Sequence, residues 1–225
     1  MNIRHDANFH GVLSDIHAQY DSLQLAFSLF RRHKVDTIIC AGDLVEKGDD
    51  GDSVVRAMLK IPTVRGNHDE SAVLYQRWLQ REMDKRYIAD TLAKLEKGER
   101  VPTRVLTQTA LDHLKSLPFQ LQFTWEGVKV ALLHGSPESN SHYITKNLPD
   151  VMIKHWFAYV DADVIILGHI HEPMIRKLGK QLILNPGSVY RSIHNRDSHS
   201  CAILTLPEKH FAVYALDSGE IILSS

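Results

Sequence analysis

Two histidines follow an apolar run in the stretch DVIILGHIHEP, residues 163–173. The run predicts a buried strand. Because side chains at positions i and i+2 of an extended chain lie on the same side, His169 and His171 can reach into one small volume. Imidazole is the commonest protein metal ligand and a frequent acid or base, so the pair could bind a metal ion or transfer protons. Taken alone, the pair also fits two hydrogen-bonded loop histidines without a chemical role.

Four other stretches share this design, in which nitrogen or oxygen ligands follow an apolar strand. They are LSDIHA, ICAGDLVEKG, VRGNHDE and VALLHGS. In open α/β sheets, ligands bind outside the carboxyl ends of the strands, so we expect these polar side chains to meet in one pocket. Asp and Asn also favour tight turns, and a turn is compatible with aiming a ligand. The candidate metal ligands are Asp15, His17, Asp43, Asn67, His134, His169 and His171.

The number and type of these ligands indicate two metal ions. Seven nitrogen and oxygen ligands are too many for one tetrahedral zinc ion, and none of them is a thiolate. Mixed imidazole and carboxylate donors suit manganese, iron, zinc or nickel better than magnesium or calcium alone. Two such cations, sharing one carboxylate, can clamp the attacking and leaving oxygens of a phosphoryl displacement. The sequence therefore predicts a two-metal site and leaves the identity of the metals open.

The first half of the chain predicts the elements that position these ligands. Strands are indicated near residues 10–14, in VDTIICAGD and in IPTVRGNHD. The helical spacing of YDSLQLAFSLFRRHK and of DSVVRAMLK separates them, and Asp21 or Ser22 fits the N-cap of the first helix. This βαβαβ order is typical of a buried parallel sheet.

The second half of the chain has a different order of predicted elements. Residues 70–117 are helical in pattern, and we interpret them as an insertion within a single domain that spans residues 1–225. Short strands joined by tight turns follow, the first turn being Glu126-Gly127. The predicted fold is α/β, with two mixed β-sheets packed face to face and helices outside. This arrangement is a four-layer α/β/β/α sandwich.

The composition limits the partners of the protein. The 225 residues carry a formal net charge of −1, so no basic field favours nucleic acid or an anionic membrane. The two cysteines are too few for a disulfide framework or a thiolate zinc site. No stretch approaches the ~18 apolar residues that a membrane span needs. We expect a cytoplasmic protein that binds neither membranes nor nucleic acid.

The five stretches, in the order DIH, GDLVEKG, GNHD, HGS and GHIH, resemble the pattern of the calcineurin-like metallophosphoesterase superfamily. The stretch LILNPGSV, residues 182–189, is similar to the bacterial and archaeal single-domain branch of that superfamily. The resemblance implies a bridging role for Asp43 between two metals. It also implies two sets of ligands, Asp15, His17 and His171 for one metal and Asn67, His134 and His169 for the other.

The resemblance also implies roles for residues that do not bind metal. His68 matches a histidine that contacts the phosphate and helps the leaving oxygen, and Asp69 would orient its imidazole by a hydrogen bond. The protein-phosphatase branch carries an arginine in the loop after the bridging aspartate. Here GDLVEKG offers Lys47, a point charge rather than a bidentate fork. We regard Lys47 and Arg65 as candidate contacts of the substrate phosphate.

The predicted function is a dinuclear-metal-dependent phosphoesterase that hydrolyses a small phosphodiester or phosphomonoester by a metal-activated hydroxide. A protein serine/threonine phosphatase or a nucleotide phosphatase is the alternative within the same fold. A nuclease would need a basic groove, which a net charge of −1 disfavours. The alternative of another class is a non-catalytic, metal-stabilised scaffold, although this chain keeps all seven ligands and His68. A homo-oligomer formed through the helical insertion is a further hypothesis.

Overall fold

The computed structural model describes residues 8–191 and 198–225. These residues form ten strands and six helices. The strands are β1 (Asn8–Leu13), β2 (Thr37–Cys40), β3 (Gln120–Trp125), β4 (Val128–Leu133), β5 (Val164–Ile166), β6 (Pro173–Leu178), β7 (Gln181–Pro186), β8 (Ser200–Leu206), β9 (His210–Ala215) and β10 (Ile221–Ser224). The helices are α1 (Tyr20–Arg32), α2 (Gly51–Met58), α3 (Asn67–Glu82), α4 (Lys85–Glu96), α5 (Gln108–Ser116) and α6 (Asp150–Trp156).

The strands form two mixed sheets in the described part of the chain. The first sheet has the order β10-β9-β8-β1-β2, in which β1 and β2 are parallel and the β8 and β9 pairings are antiparallel. The second sheet has the order β3-β4-β5-β7-β6, with β4, β5 and β7 parallel and an antiparallel hairpin at each edge. The hairpin predicted at residues 126–127 is confirmed, since it joins β3 to β4.

Alternation along the strands explains how the two sheets pack. Val12 of β1 and Ile39 of β2 belong to one apolar cluster with Leu132 of β4 and Ile166 of β5. This cluster therefore lies between the sheets. Leu13, the neighbour of Val12, faces the opposite side, as the two-residue period of a strand requires.

Helices cover the outer faces of both sheets. Leu13 shares its cluster with Phe30 of α1, Met58 of α2 and Leu111 of α5, while Ile153 of α6 packs with the second sheet. The order of layers is thus helices, sheet, sheet and helices. The predicted four-layer α/β/β/α sandwich is confirmed. No helix in the described ranges has the length and apolar content needed to cross a membrane.

The predicted third strand, in IPTVRGNHD, is wrong. This segment makes only an isolated parallel bridge between Thr63 and Cys40. Pro62 has no N–H to donate to a ladder. The backbone N–H of Arg65 donates instead to the carbonyl of Pro118 at 2.8 Å, which draws the chain away from the sheet. The segment nevertheless follows the edge of β2 and delivers Asn67 to the carboxyl end of the sheet.

The first part of the helical stretch predicted over residues 70–117 forms two helices, α3 and α4. Met83 ends α3 in an extended conformation, with ψ of 156°. The Asp84 carboxylate then accepts a hydrogen bond from the N–H of Tyr87 at 2.8 Å and caps α4. Helix α3 begins at Asn67, earlier than predicted, so its first turn belongs to the candidate site.

Helix α1 also begins earlier than predicted. Its N-cap is Gln19, not Asp21 or Ser22, and both of these lie within its first turn. The Gln19 side-chain oxygen accepts a hydrogen bond from the Ser22 hydroxyl at 3.0 Å. The hydrogen bond between Gln19 and Ser22 therefore spans the first turn of α1.

Candidate metal centre

All seven predicted ligands lie at one end of the sandwich. Asp15 and His17 follow β1, Asp43 follows β2, His134 follows β4 directly, and His169 and His171 follow β5, whereas Asn67 opens α3. The strands β1 and β2 are parallel, as are β4 and β5, so their carboxyl ends meet at the same edge. Because the two sheets are face to face, loops from both reach one volume.

The backbone is in the left-handed region at most of the candidate ligands. The positive φ angles are 52° at Asp15, 49° at His17, 57° at Asp43, 71° at His169 and 59° at His171. Non-glycine residues pay about 1–3 kcal/mol for such conformations, which persist only where the surroundings hold them. Two hydrogen bonds hold the first loop, since the N–H of Asp15 donates to Gly42 and that of His17 to Asp43. Five of the seven candidate ligands thus occupy strained positions.

Asp15, His17 and His171 form the first group of donor atoms. The Oδ1 atom of Asp15 lies 3.2 Å from Nε2 of His171 and 3.8 Å from Nε2 of His17. The two Nε2 atoms are 3.0 Å apart. Three donors that all lie within 4.8 Å of one another could bind a single cation.

Asp43, His134 and His169 form the second group, whose donor atoms also lie within 4.8 Å of one another. The Nε2 atom of His134 is 3.3 Å from Oδ2 of Asp43 and 3.2 Å from Oδ1 of Asn67. The same Oδ2 atom of Asp43 is 3.7 Å from Nε2 of His17 in the first group. Asp43 therefore lies between the two groups, where a shared ligand is expected.

Two buried polar atoms in the centre lack hydrogen-bond partners among the described residues. They are Oδ1 of Asp15 and Nε2 of His169. A buried carboxylate oxygen or imidazole nitrogen without a partner is costly, and each such atom in a folded protein calls for a ligand or water. Both atoms belong to the groups described above. The donor set therefore fits metal cations.

Each carboxylate uses one oxygen for the fold and presents the other to the centre. Oδ2 of Asp15 accepts hydrogen bonds from the Ser14 hydroxyl and, at 3.0 Å, from the N–H of His169. Oδ1 of Asp43 accepts from the N–H of His68 at 2.8 Å. The remaining oxygens face the imidazoles. These bonds fix the two carboxylates before any cation is present.

Backbone carbonyls orient two of the imidazoles. The Nδ1 atom of His134 is 2.6 Å from the carbonyl oxygen of Ala41, and that of His17 is 3.3 Å from the carbonyl of Val45. An Nδ1–H that donates to a carbonyl leaves Nε2 as the ligand atom and fixes the ring. Both Nε2 atoms point to the centre, as the distances above require.

Two glycines, Gly66 and Gly168, allow the loops of the centre to approach each other closely. A Cβ atom at Gly66 would lie 2.0 Å from Oδ1 of Asp43, and one at Gly168 would lie 2.1 Å from the Ser14 hydroxyl. The Cβ atom added at Gly168 would also lie 3.0 Å from Nδ1 of His134. Any side chain at either position would therefore displace a candidate ligand or the group that orients it.

Burial and the carboxylates set the protonation of the centre. Burial lowers the pKa of His17 and of His169 to about 4. Burial also lowers the pKa of His134, but the charges of Asp43 and Asp15 outweigh it and raise the value to about 9. Burial raises the pKa of Asp43, yet the neighbouring His134 holds it well below the usual range. With these pKa values the Asp43 carboxylate is ionised, His17 and His169 are neutral at pH 7, and His134 carries a proton.

The carboxylate that contacts His68 is Glu46, not Asp69 as the sequence analysis expected. Oε2 of Glu46 lies 2.6 Å from Nδ1 of His68, and Oε1 accepts from the Ser71 hydroxyl at 2.9 Å. The hydrogen bond to Glu46 raises the pKa of His68. Sequence reasoning missed Glu46, although its position in GDLVEKG, between Asp43 and the predicted phosphate contact, was a usable signal.

Asp69 supports the loop of Asp43 instead. Its buried carboxylate accepts hydrogen bonds from the N–H groups of Asp43 at 2.9 Å, Leu44 at 2.7 Å and Gly66 at 3.0 Å. Burial and the nearby charge of Asp43 raise the pKa of Asp69 to about 7. Asp69 therefore joins the loop after β2 to the start of α3.

The two candidate phosphate contacts have different surroundings. Lys47 lies at the centre, with Nζ 3.3 Å from Nε2 of His171. The guanidinium of Arg65 instead donates to the carbonyls of Lys115 at 3.0 Å and Leu117 at 2.9 Å, at the end of α5. The carbonyls of a helix C-terminus thus bind the charge of Arg65 in this structure, and its contact with the phosphate stays a prediction.

The turn after β7 supports both halves of the centre. The Asn185 side-chain amide donates to the carbonyl of Gly168 at 2.7 Å, next to His169. The Ser188 hydroxyl donates to the carbonyl of Asp15 at 2.9 Å. Hydrogen bonds from side chains to backbone carbonyls leave no pattern in the sequence, so the NPGS stretch shows only a resemblance there and not its supporting role.

The chain belongs to the calcineurin-like phosphoesterase superfamily. The family model described as a calcineurin-like phosphoesterase superfamily domain matches residues 9–209. Membership implies metal-dependent hydrolysis of phosphoesters, which the donor groups of the centre could serve.

Known proteins agree with this assignment. An uncharacterised protein, MJ0912, from Methanocaldococcus jannaschii is 27% identical over 186 residues, which cover 80% of this chain and 69% of that protein. A metallophosphoesterase structure from Sphaerobacter thermophilus aligns with a TM-score of 0.64 at 22% identity, covering 91% of this chain and 85% of that one. The structure of Vacuolar Protein Sorting 29 from Cryptosporidium parvum aligns with a TM-score of 0.57 at 16% identity, covering 97% of each chain. At such identities the two structures show a shared fold.

Proposed function

We propose that this chain is a dinuclear-metal-dependent phosphoesterase that hydrolyses a small phosphate ester. One observation carries the proposal, namely that Asp43 lies between two groups of buried donors, of which Asp15 Oδ1 and His169 Nε2 have no hydrogen-bond partner among the described residues. One cation would be held by Asp15, His17 and His171, and the other by Asn67, His134 and His169. Manganese, iron, zinc and nickel all suit this donor set.

The chain and the cations would have separate tasks. Two bound cations supply positive charge that polarises phosphoryl oxygens and activates water for attack. A ring nitrogen of His68 lies within 4.8 Å of donor atoms of His17 and Asp43. Glu46 holds the other side of this ring and favours its charged form, so His68 would donate a proton to the leaving oxygen. Lys47 would add charge beside the phosphate.

The compartment of action is proposed to be the cytoplasm. Cys40 and Cys201 are both free and buried, and burial raises the pKa of each thiol. Unpaired thiols are typical of a reducing compartment. The substrate would accordingly be a soluble phosphomonoester or phosphodiester rather than a membrane lipid.

The test uses the whole chain, stripped with a chelator and reloaded with manganese, iron, zinc or nickel. Bis(4-nitrophenyl) phosphate and 4-nitrophenyl phosphate are assayed side by side, and bound metal is counted by mass spectrometry. We expect metal-dependent turnover that both Asp43→Asn and His68→Ala abolish. The ratio of the two rates assigns diester or monoester preference.

His210→Ala is the matched control, since this exposed histidine lies on β9, outside the centre. It should leave turnover unchanged. A chain that binds two cations per molecule and hydrolyses neither ester with any metal contradicts the proposal. That result would favour a scaffold whose metals only stabilise the fold.

A further inference from the structure

A cleft of about 280 Å³ adjoins the candidate metal centre. It lies between the loop after β2, helix α3 and residues 103–106, and we call it the α3 cleft. Glu46 and Lys47 line it. The same residues contact the centre, since Glu46 binds His68 and Lys47 lies 3.3 Å from His171. A molecule with its phosphate at the metal ligands could therefore extend directly into the cleft.

Half of the residues that line the cleft are small or apolar. Its volume is near the lower end of the range of small-molecule sites, which combine an apolar lining with a few polar groups. Tyr75 provides one aromatic wall, and its ring is stacked on that of Trp78 at 5.4 Å. A flat ring of a bound molecule could stack on the Tyr75 ring, because aromatic rings favour offset stacked arrangements. The apolar and small lining residues are Ala18, Val45, Gly48, Gly51, Ala72 and Leu106.

Buried hydrogen bonds hold the walls in place. Gln76 of α3 is buried, its side-chain amide donates to the carbonyl of Arg104, and its oxygen accepts from the N–H of Leu106 at 3.3 Å. On the other side, the N–H of Thr103 donates to the carbonyl of Asp49 at 2.7 Å. The segment is thus tied both to α3 and to the loop after β2. The cleft is preformed.

The rim of the cleft carries hydrogen-bond donors. Thr103 and Arg104 both line the cleft. The Thr103 oxygen accepts from the N–H of Val105 at 3.1 Å, which leaves its hydroxyl hydrogen for a ligand. The exposed Arg104 has a planar guanidinium that stacks on rings and donates to acceptors. These groups favour a ring with nitrogen or oxygen acceptors over a plain hydrocarbon.

We propose that the α3 cleft binds the leaving group of the substrate and that this group is an alcohol of nucleoside size that carries a flat heteroaromatic ring. The proposal rests on the phosphoester hydrolysis proposed above. In that reaction, the oxygen of water forms a bond to phosphorus and the bond from phosphorus to the leaving oxygen breaks. The leaving oxygen takes a proton, and the released alcohol remains against Tyr75 until it dissociates.

A binding measurement tests the cleft without hydrolysis. Adenosine is titrated into chelator-treated wild-type protein, Tyr75→Ala and Tyr87→Ala by calorimetry, with tryptophan fluorescence as a second signal because Trp78 stacks on Tyr75. Tyr87 is a matched control, since it is 46% exposed on α4 and outside the cleft. We expect Tyr75→Ala to weaken adenosine binding about tenfold or more and Tyr87→Ala to leave it unchanged. Equal affinity in all three proteins overturns the proposal.

A kinetic comparison with metal-loaded protein identifies the kind of ring. Tyr75→Ala should lower kcat/KM for adenosine 5′-monophosphate about tenfold or more and leave that for glycerol 3-phosphate within about twofold. Arg104→Ala should reduce the rate with the nucleotide more than that with 1-naphthyl phosphate. Equal losses with the nucleotide and the glycerol ester would mean that Tyr75 supports the fold, and would reject the proposal. If the nucleotide loses nothing and only the naphthyl ester is affected, the heteroaromatic assignment is wrong.

The two proposals can fail separately. If no ester is hydrolysed while adenosine still binds the chelated wild type and not Tyr75→Ala, the hydrolase assignment fails and the cleft assignment stands. If esters are hydrolysed and adenosine does not bind, the cleft assignment fails and the hydrolase assignment stands. Tyr75→Leu, which keeps the apolar bulk, replaces the alanine variant if that variant has a lower Tm.

Discussion

The two sheets contribute different chemistry to one centre. The first sheet supplies both carboxylates, Asp15 and Asp43, with one imidazole. The second sheet supplies imidazoles alone, all from the loops after β4 and β5. The second sheet also depends on the first for orientation, since His134 bonds to the carbonyl of Ala41 and the N–H of His169 to Asp15. The acidic half also has hydrogen bonds between its own two loops, such as that from the N–H of Asp15 to the carbonyl of Gly42, whereas the imidazole half is complete only when the sheets are packed.

The largest expected effect comes from removing charge from the acidic half. Asp43→Asn keeps the size of the side chain but removes the charge that two cations would share. We expect kcat/KM to fall about a thousandfold, equivalent to about 4 kcal/mol, and the metal content to fall from two ions to one or none. Turnover and metal analysis on the same samples measure both. Wild-type turnover in this variant would show that Asp43 is no bridge.

The next effect tests the packing between the two halves. Leu132→Ala removes a fully buried side chain from the cluster between the sheets and should cost about 2–5 kcal/mol of unfolding free energy. Because the imidazole half is positioned by this packing, metal affinity should fall as well. Urea unfolding with and without metal gives both quantities.

Ile222→Ala is the control for this change, since Ile222 is 49% exposed on β10. It should alter the unfolding free energy by about 0.5 kcal/mol or less. If Leu132→Ala lowers stability but leaves metal affinity untouched, the imidazole half does not depend on the sheet packing.

A smaller effect concerns the support of His68 within the acidic half. Glu46→Gln keeps a hydrogen-bond acceptor for Nδ1 but removes the charge that raises the pKa of His68. We expect kcat to fall about tenfold to a hundredfold, because a less basic His68 is less often protonated when the leaving oxygen departs. The limb of the pH–rate profile at high pH should move to lower pH. Asp69→Asn should instead lower the Tm, and a profile that moves with Asp69→Asn but not with Glu46→Gln would reverse the two assignments.

The smallest effect is the pH dependence of metal binding. Without metal, His134 has a pKa raised to about 9, and its proton must leave before Nε2 can bind a cation. Affinity should therefore rise with pH between 6.5 and 8.5, by up to about tenfold per pH unit. Calorimetry in two buffers of different ionisation enthalpy should detect about one proton released per chain. Affinity independent of pH, with no buffer dependence, would rule out a proton on His134.

The sequence predicted the sandwich well because its strands depend on local patterns, and the same patterns predicted residues that the structure brings together at one end of it. Apolar runs predict the strands, and six of the candidate ligands follow such a strand closely. The seventh, Asn67, is the first residue of α3. The strand in IPTVRGNHD was wrongly predicted because a pattern of apolar residues does not reveal that Arg65 bonds to Pro118 rather than to a neighbouring strand.

The contacts that support the centre were harder to predict because they join distant parts of the chain. Asp69 follows His68 in sequence, yet successive side chains on a helix point about 100° apart, so Asp69 faces the loop of Asp43. The partners of Arg65 are carbonyls about fifty residues further along, at the end of α5. Neither relation leaves a spacing that a single sequence displays.

The position of α3 has a consequence for the redesign of this protein. Only the first two residues of this helix, Asn67 and His68, belong to the centre, while Tyr75 and Gln76, two turns further on, form a wall of the α3 cleft. Changes beyond Ser71 can therefore alter the size and chemistry of the cleft while the metal ligands and the support of His68 keep their positions. With the leaving group bound in the cleft as proposed, substrate preference and hydrolytic chemistry could be engineered at separate positions of one helix.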